Sequence, residues 1–148
     1  MDHEQYMKLA LELAADCGYG GDVPVGCVIV DSDGAVIGQG ANRREALGLA
    51  TAHAEIIAID EACRAKRNWR LDRCSLYVTL EPCPMCAGAI INARISNVFY
   101  GAKDEQGGAC GGVLNLFMER FAHSPRLVGG VYEDECAKML RDFFNDLR

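Results

Sequence analysis

Two short segments, His53-Ala54-Glu55 and Pro82-Cys83-Pro84-Met85-Cys86, constrain this chain more than anything else in it. One imidazole and two thiolates make a donor set for a zinc ion. They leave the fourth tetrahedral position open for water, as in a catalytic rather than a structural site. For the three donors to meet, the segments carrying them must converge in space, although the spacing predicts a helix and a strand between them. Cys83 and Cys86, three residues apart, lie on one face of a helical turn that Pro82 and Pro84 help to open. His53 and Glu55, two apart, cannot share a helix face, so the metal is expected off a helix end. Helix N-termini aimed at the ion would also favour thiolates over thiols. Glu55 is then free to move protons.

A lone Cys-x-x-Cys also suits a redox pair or half of a zinc knuckle, and a lone His-x-Glu means little. A structural site would want a fourth protein ligand with its own close spacing. The other six cysteines, Cys17, Cys27, Cys63, Cys74, Cys110 and Cys136, form no second Cys-x-x-Cys and read as reduced core filler. Residues 1–148, 50% hydrophobic, are expected to form a single domain with a proper core. The first residues lack the regions of a signal peptide and no apolar run is long enough to cross a bilayer, so a soluble, cytoplasmic protein is expected. The net charge of −6 speaks against bulk electrostatic binding of nucleic acid. A local exception is readable in Arg43, Arg44, Lys66, Arg67, Arg70 and Arg73, which flank His53 in sequence. They suggest a positive mouth on an acidic body, or else plain solvated faces.

The elements alternate. Asp2 can cap a first helix whose apolar positions Tyr6, Leu9, Leu13 and Ala14 follow helical spacing, with Gly18, Gly20 and Gly21 to end it. Strands are predicted at 27–30 and 36–40 around the Asp33-Gly34 turn signal. A helix over about 52–66 follows, then a strand at 75–80, the Cys-x-x-Cys helix to about Arg94 and a strand at 98–101. The glycine-rich run 107–112 precedes a short helix near 114–120, and a last amphipathic helix starts near Glu133. Strands separated by helices imply parallel pairing with right-handed crossovers. The expected result is a three-layer α/β/α domain with a mixed sheet of about five strands flanked by helices. Both metal-binding segments adjoin strand ends, where open α/β sheets hold ligands.

Zinc in such a site lowers the pKa of water toward neutrality, and Glu55 would take the proton as hydroxide attacks an amino-bearing ring carbon. The combination of His-x-Glu with Pro-Cys-x-x-Cys is the signature of zinc deaminases. Over nearly its whole length the chain resembles the bacterial tRNA-specific adenosine deaminases of the cytidine deaminase superfamily. The resemblance rests on Val23-Pro24-Val25-Gly26, Asn42-Arg43, Thr51 to Glu55, Leu76 to Ala89, Tyr100 to Asp104, and Asp134-Glu135-Cys136 running into Phe143-Phe144.

That resemblance implies a cytidine deaminase-like fold, one Zn2+ per subunit, and hydrolytic deamination of adenosine to inosine at the wobble position of a tRNA anticodon, with an arginine tRNA as the expected substrate. Asn42 matches the family asparagine that bonds the base, although a turn residue closing the hairpin is the plain alternative. Val25 and Ala54 would line the base pocket. Asp104 matches an aspartate beside the anticodon loop, or is an exposed loop residue, and His123 sits where the family has a histidine near the RNA. Glu81 reads as a supporting or surface carboxylate rather than a second base. The chain departs from the family at Gly48-Leu49-Ala50, at Cys27 and at Ala122, none of which touches the zinc chemistry.

An anticodon stem-loop suits a base deaminase because an unstacked nucleotide is extruded at low cost. The resemblance also implies a homodimer, for which Ile90, Ile91 and Ile95 are interface candidates against an ordinary core role. Three other readings stand beside this one: a deaminase of a free base or nucleotide such as guanine, cytosine or deoxycytidylate; a zinc-binding or RNA-binding module without chemistry; and a subunit working only in a heteromer.

Overall fold

The structure, a computed structural model, describes residues 2–147. Helix α1, His3–Tyr19, begins at a reciprocal cap: the Asp2 carboxylate accepts from the Gln5 backbone N–H at 3.0 Å while the Gln5 side chain accepts from the Asp2 N–H at 2.8 Å. Strands β1, Gly26–Val30, and β2, Val36–Ala41, form the expected hairpin. The Asp31 carboxylate closes its turn by accepting from the Asp33 and Ala35 N–H groups, and Gly34 supplies the positive φ of 88°. A single turn α2, Arg44–Leu47, leads into α3, Ala54–Lys66. Strand β3, Ser75–Leu80, α4, Pro84–Ala93, and β4, Asn97–Ala102, come next. Strand β5, Arg126–Val128, and α5, Glu133–Asp146, complete the chain.

The sheet order is β2-β1-β3-β4-β5. β1 runs antiparallel to both neighbours, whereas β3, β4 and β5 are parallel. The β2–α3–β3 and β3–α4–β4 crossovers therefore join parallel strands as the alternation predicts, with β1 inserted between β2 and β3. The three-layer α/β/α architecture with a five-stranded mixed sheet is borne out. Every residue of β1 is buried, because Cys27 and Ile29 face the α3/α4 core while Val28 and Val30 face the α1/α5 core.

Contact between α3 and β2 fixes the height of the site. A Cβ on Gly40 would stand 2.2 Å from the Ala54 carbonyl oxygen, so α3 lies directly on the backbone of β2 and its first turn is set by that contact.

Three local readings need correction, and β5 is an addition to them. Helix α3 begins at Ala54, not Ala52, because His53 keeps an extended backbone. In place of a helix over 114–120 there is one 3₁₀ turn, Leu116–Met118, capped by Asn115 accepting from the Phe117 N–H; only Phe117 of that turn is buried, too little to hold a longer helix. β5 carried no sequence signal: it has three residues, two of them exposed. Ile90, Ile91 and Ile95 are core residues, at 0%, 7% and 0% exposure, and do not offer an interface.

Candidate metal and base site

Both metal-binding segments enter the site as helix caps. His53 is the N-cap of α3 and Cys83 the N-cap of α4, each in extended conformation and neither using its side chain to cap the helix. Glu55 and Cys86 follow in the first turns. The two helix N-termini converge, as the two-residue spacing of His53 and Glu55 requires.

The donor atoms of His53, Cys83 and Cys86 lie within 4.8 Å of one another. His53 Nδ1 is 3.6 Å from Cys83 Sγ and 3.5 Å from Cys86 Sγ. A tetrahedral zinc ion with ordinary Zn–N and Zn–S bonds needs a nitrogen–sulfur separation of about 3.6 Å. The set thus fits one zinc ion per chain, with His53 ligating through Nδ1. Electrostatics point the same way. The Cys83 thiol is drawn down to about 5, first by the hydrogen bond from Cys86, then by the Cys86 backbone N–H and by His53. Cys86 is pushed up, chiefly because it shares its proton with Cys83 and also by burial. Cys83 is therefore the more acidic of the two thiols.

Glu55 is 4% exposed, and burial pushes its carboxyl from 4.5 up to about 7. It lines a pocket of about 410 Å³ together with His53 and Cys83. The pocket also brings in Val25, Asn42, Ala54 and Asp104, but not His123. His123 is the one predicted site residue placed elsewhere: its Nε2 lies 2.6 Å from the Ile95 carbonyl oxygen, past the C-terminal end of α4. Asn42 stands at the hairpin end beside the pocket. Its amide donates to the Val23 carbonyl at 3.1 Å and accepts from the Arg44 N–H at 3.2 Å, which closes the hairpin while it borders the pocket. Asp104 likewise lines the rim while its carboxylate accepts from the Gln106 and Gly107 N–H groups.

Glu81 takes the supporting role of the two read for it. This carboxylate is 2% exposed and accepts from the backbone N–H groups of Asp104 at 3.2 Å, Cys110 at 3.0 Å and Gly112 at 2.8 Å. It holds the glycine-rich loop against the pocket. The glycines were the available signal, since a Cβ on Gly108 would stand 2.0 Å from Glu81 Oε2. Leu140 and the half-exposed Phe144 of α5 close the opposite wall. Of the basic cluster read from the sequence, only Arg44 borders the pocket, where it is joined by Lys103.

Comparison with known proteins agrees with this geometry. The family model for the cytidine and deoxycytidylate deaminase zinc-binding region matches residues 1–102. A tRNA-specific adenosine deaminase of Bacillus subtilis is 48% identical over 98% of this chain and 90% of its own length. A solved tRNA:A34 deaminase, studied for A-to-I editing at the wobble position of transfer RNA, superposes with a TM-score of 0.87 at 45% identity, over 92% of this chain and 99% of that one. The guanine deaminase of B. subtilis reaches a TM-score of 0.65 at 46% identity over 70% of this chain and 66% of its own.

Proposed function

Because the chain belongs to the cytidine and deoxycytidylate deaminase family, we propose that it converts the wobble adenosine of a tRNA anticodon, that of an arginine tRNA, to inosine. The observation that carries the reading is Glu55, buried in a base-sized pocket beside a three-donor set of zinc dimensions. When bound, zinc supplies the Lewis acidity that makes water a nucleophile near neutral pH. Glu55 takes a proton from the attacking water and gives it to the ring nitrogen as the C6–O bond forms, then carries the remaining proton of the new C6 hydroxyl to the amino group as the C6–N bond breaks and ammonia leaves. Val25, Ala54 and Asn42 hold the flipped base with its Watson–Crick edge toward Glu55. Asp104, Arg44, Lys103 and Phe144 at the rim receive the nucleotides on either side.

A polymeric substrate is favoured by near full-length likeness to tRNA deaminases and by an aromatic ring and two cations at the mouth. The second reading, deamination of a free base such as guanine, draws on the partial likeness to a guanine deaminase. Residues 1–148 act as one deaminase domain, working in the cytoplasm on an anticodon stem-loop. The catalytic unit is a homodimer formed through the exposed apolar residues Val113, Leu114, Met118 and Phe121. No helix among the described residues is long and apolar enough to cross a membrane.

The test is incubation of the zinc-loaded protein with an arginine tRNA carrying adenosine at the wobble position, beside free adenosine, cytidine and guanine. Inosine at that one position is expected. Ammonia released only from a free base or nucleoside moves the function to the small-molecule reading.

A further inference from the structure

Five cations, Arg64, Lys66, Arg67, Arg70 and Arg73, fall within ten residues at the C-terminal end of α3 and the loop after it, and all are exposed. Arg94, at the end of α4, joins them beside Trp69, whose indole is 56% exposed. The guanidinium carbons of Arg70 and Arg94 lie 5.4 and 5.8 Å from the centroid of the Trp69 ring. Asp72 pairs with Arg70 at 3.0 Å, and among the described residues no ion pair engages Arg64, Lys66, Arg67, Arg73 or Arg94. His123, whose Nε2 lies against the Ile95 carbonyl next to Arg94, stands beside this patch and near Asp72.

Three of the arginines occupy left-handed backbone positions that favour glycine: Arg67 at φ 52°, Arg73 at 60° and Arg94 at 63°. Cations held in strained backbone around an exposed indole, on a chain of net charge −6, mark a surface kept for a negatively charged, planar partner.

We propose that Trp69, Arg67, Arg70, Arg73 and Arg94 form a second RNA-binding surface, in which an unpaired base stacks on the indole and guanidinium planes and flanking phosphates sit on the remaining cations. The partner rests on the tRNA reading above. The surface is separate from the catalytic pocket, because the thirteen residues of α3 carry the chain about 20 Å away from His53.

The test measures binding rather than turnover, with labelled arginine tRNA bearing guanosine at the wobble position, at several salt concentrations. In the double variant Arg67→Gly/Arg73→Gly two charges go at positions where glycine suits the backbone, so folding and zinc content are expected to stay unchanged. The slope of log affinity against log salt should become shallower by about 1.4–1.8. Trp69→Ala should weaken binding by about fivefold or more without changing that slope. Affinity and slope equal to the parent's in both variants overturn the proposal, as does a parent that binds no tRNA. A parent that makes no inosine while the variants lose tRNA affinity sinks the proposed function and leaves this surface standing.

Discussion

Glu55 shows what one residue costs the fold for the sake of chemistry. Its carboxyl titrates near 4.5 in an unfolded chain and at about 7 when buried here. Between those values the folded, metal-free protein holds a proton that the unfolded chain has released, so its stability falls as pH rises through that window, by roughly 3 kcal/mol in all. In Glu55→Gln this contribution is absent. Urea unfolding of metal-stripped protein at pH 4.5 and pH 7 should show the variant gaining on the parent as pH rises, and parallel curves would disprove the burial argument. With zinc loaded, Glu55→Ala should keep one ion per chain yet lose about 100- to 10,000-fold in kcat, the range for a lost acid–base group; a variant of near-parental turnover would remove Glu55 from the mechanism. The metal ligands and Glu55 were legible because zinc chemistry demands particular side chains at short chain spacings. The partners of Glu81 were not, since they are three amides of a loop more than twenty residues downstream.

At the scale of elements, the site depends on how low α3 sits on the sheet. Gly40→Ala would drive a Cβ into the Ala54 carbonyl and lift the turn that carries His53 and Glu55. A loss of about 1–3 kcal/mol is expected, with a melting temperature several degrees lower and zinc released at lower chelator concentration. Gly48→Ala is the contrast. Gly48 caps α2 at φ 66° with open space around it, so alanine should cost about 1 kcal/mol and leave zinc affinity as it was. Equal chelator sensitivity in the two variants would show that the α3–β2 contact does not set the site. Hairpin, crossover helices and inner strands were readable, since turn chemistry and apolar periodicity act over a few residues. β5 is a three-residue edge strand with one side chain, Leu127, against the core, and the residues at 114–120 take their conformation from contacts with the glycine loop, which leave no periodic trace.

At the scale of the whole molecule, chain proximity misled where a helix intervened. Arg44 and Lys66 flank His53 in sequence, yet the length of α3 separates them, so the single positive mouth becomes a rim cation and a patch at the far end of that helix. The same limit hid the apolar surface, because Val113, Leu114, Met118 and Phe121 follow the Glu81-held loop in no pattern of helix or strand, and only the fold leaves them exposed. A stable homodimer needs about 800 Å² from each partner, and these four exposed apolar side chains follow the pocket loop directly in the chain. Because that loop also carries Asp104 and Gln106 on the pocket rim, docking a second copy there would stiffen the wall that receives RNA. Met118→Glu/Phe121→Glu, both at exposed positions, should therefore fold, bind zinc and sediment as a monomer, while tRNA deamination falls at least about tenfold, a loss equivalent to roughly 1.4 kcal/mol of transition-state stabilisation. A monomer that deaminates tRNA at the parental rate would separate assembly from activity, and an undiminished dimer would move the interface to another face.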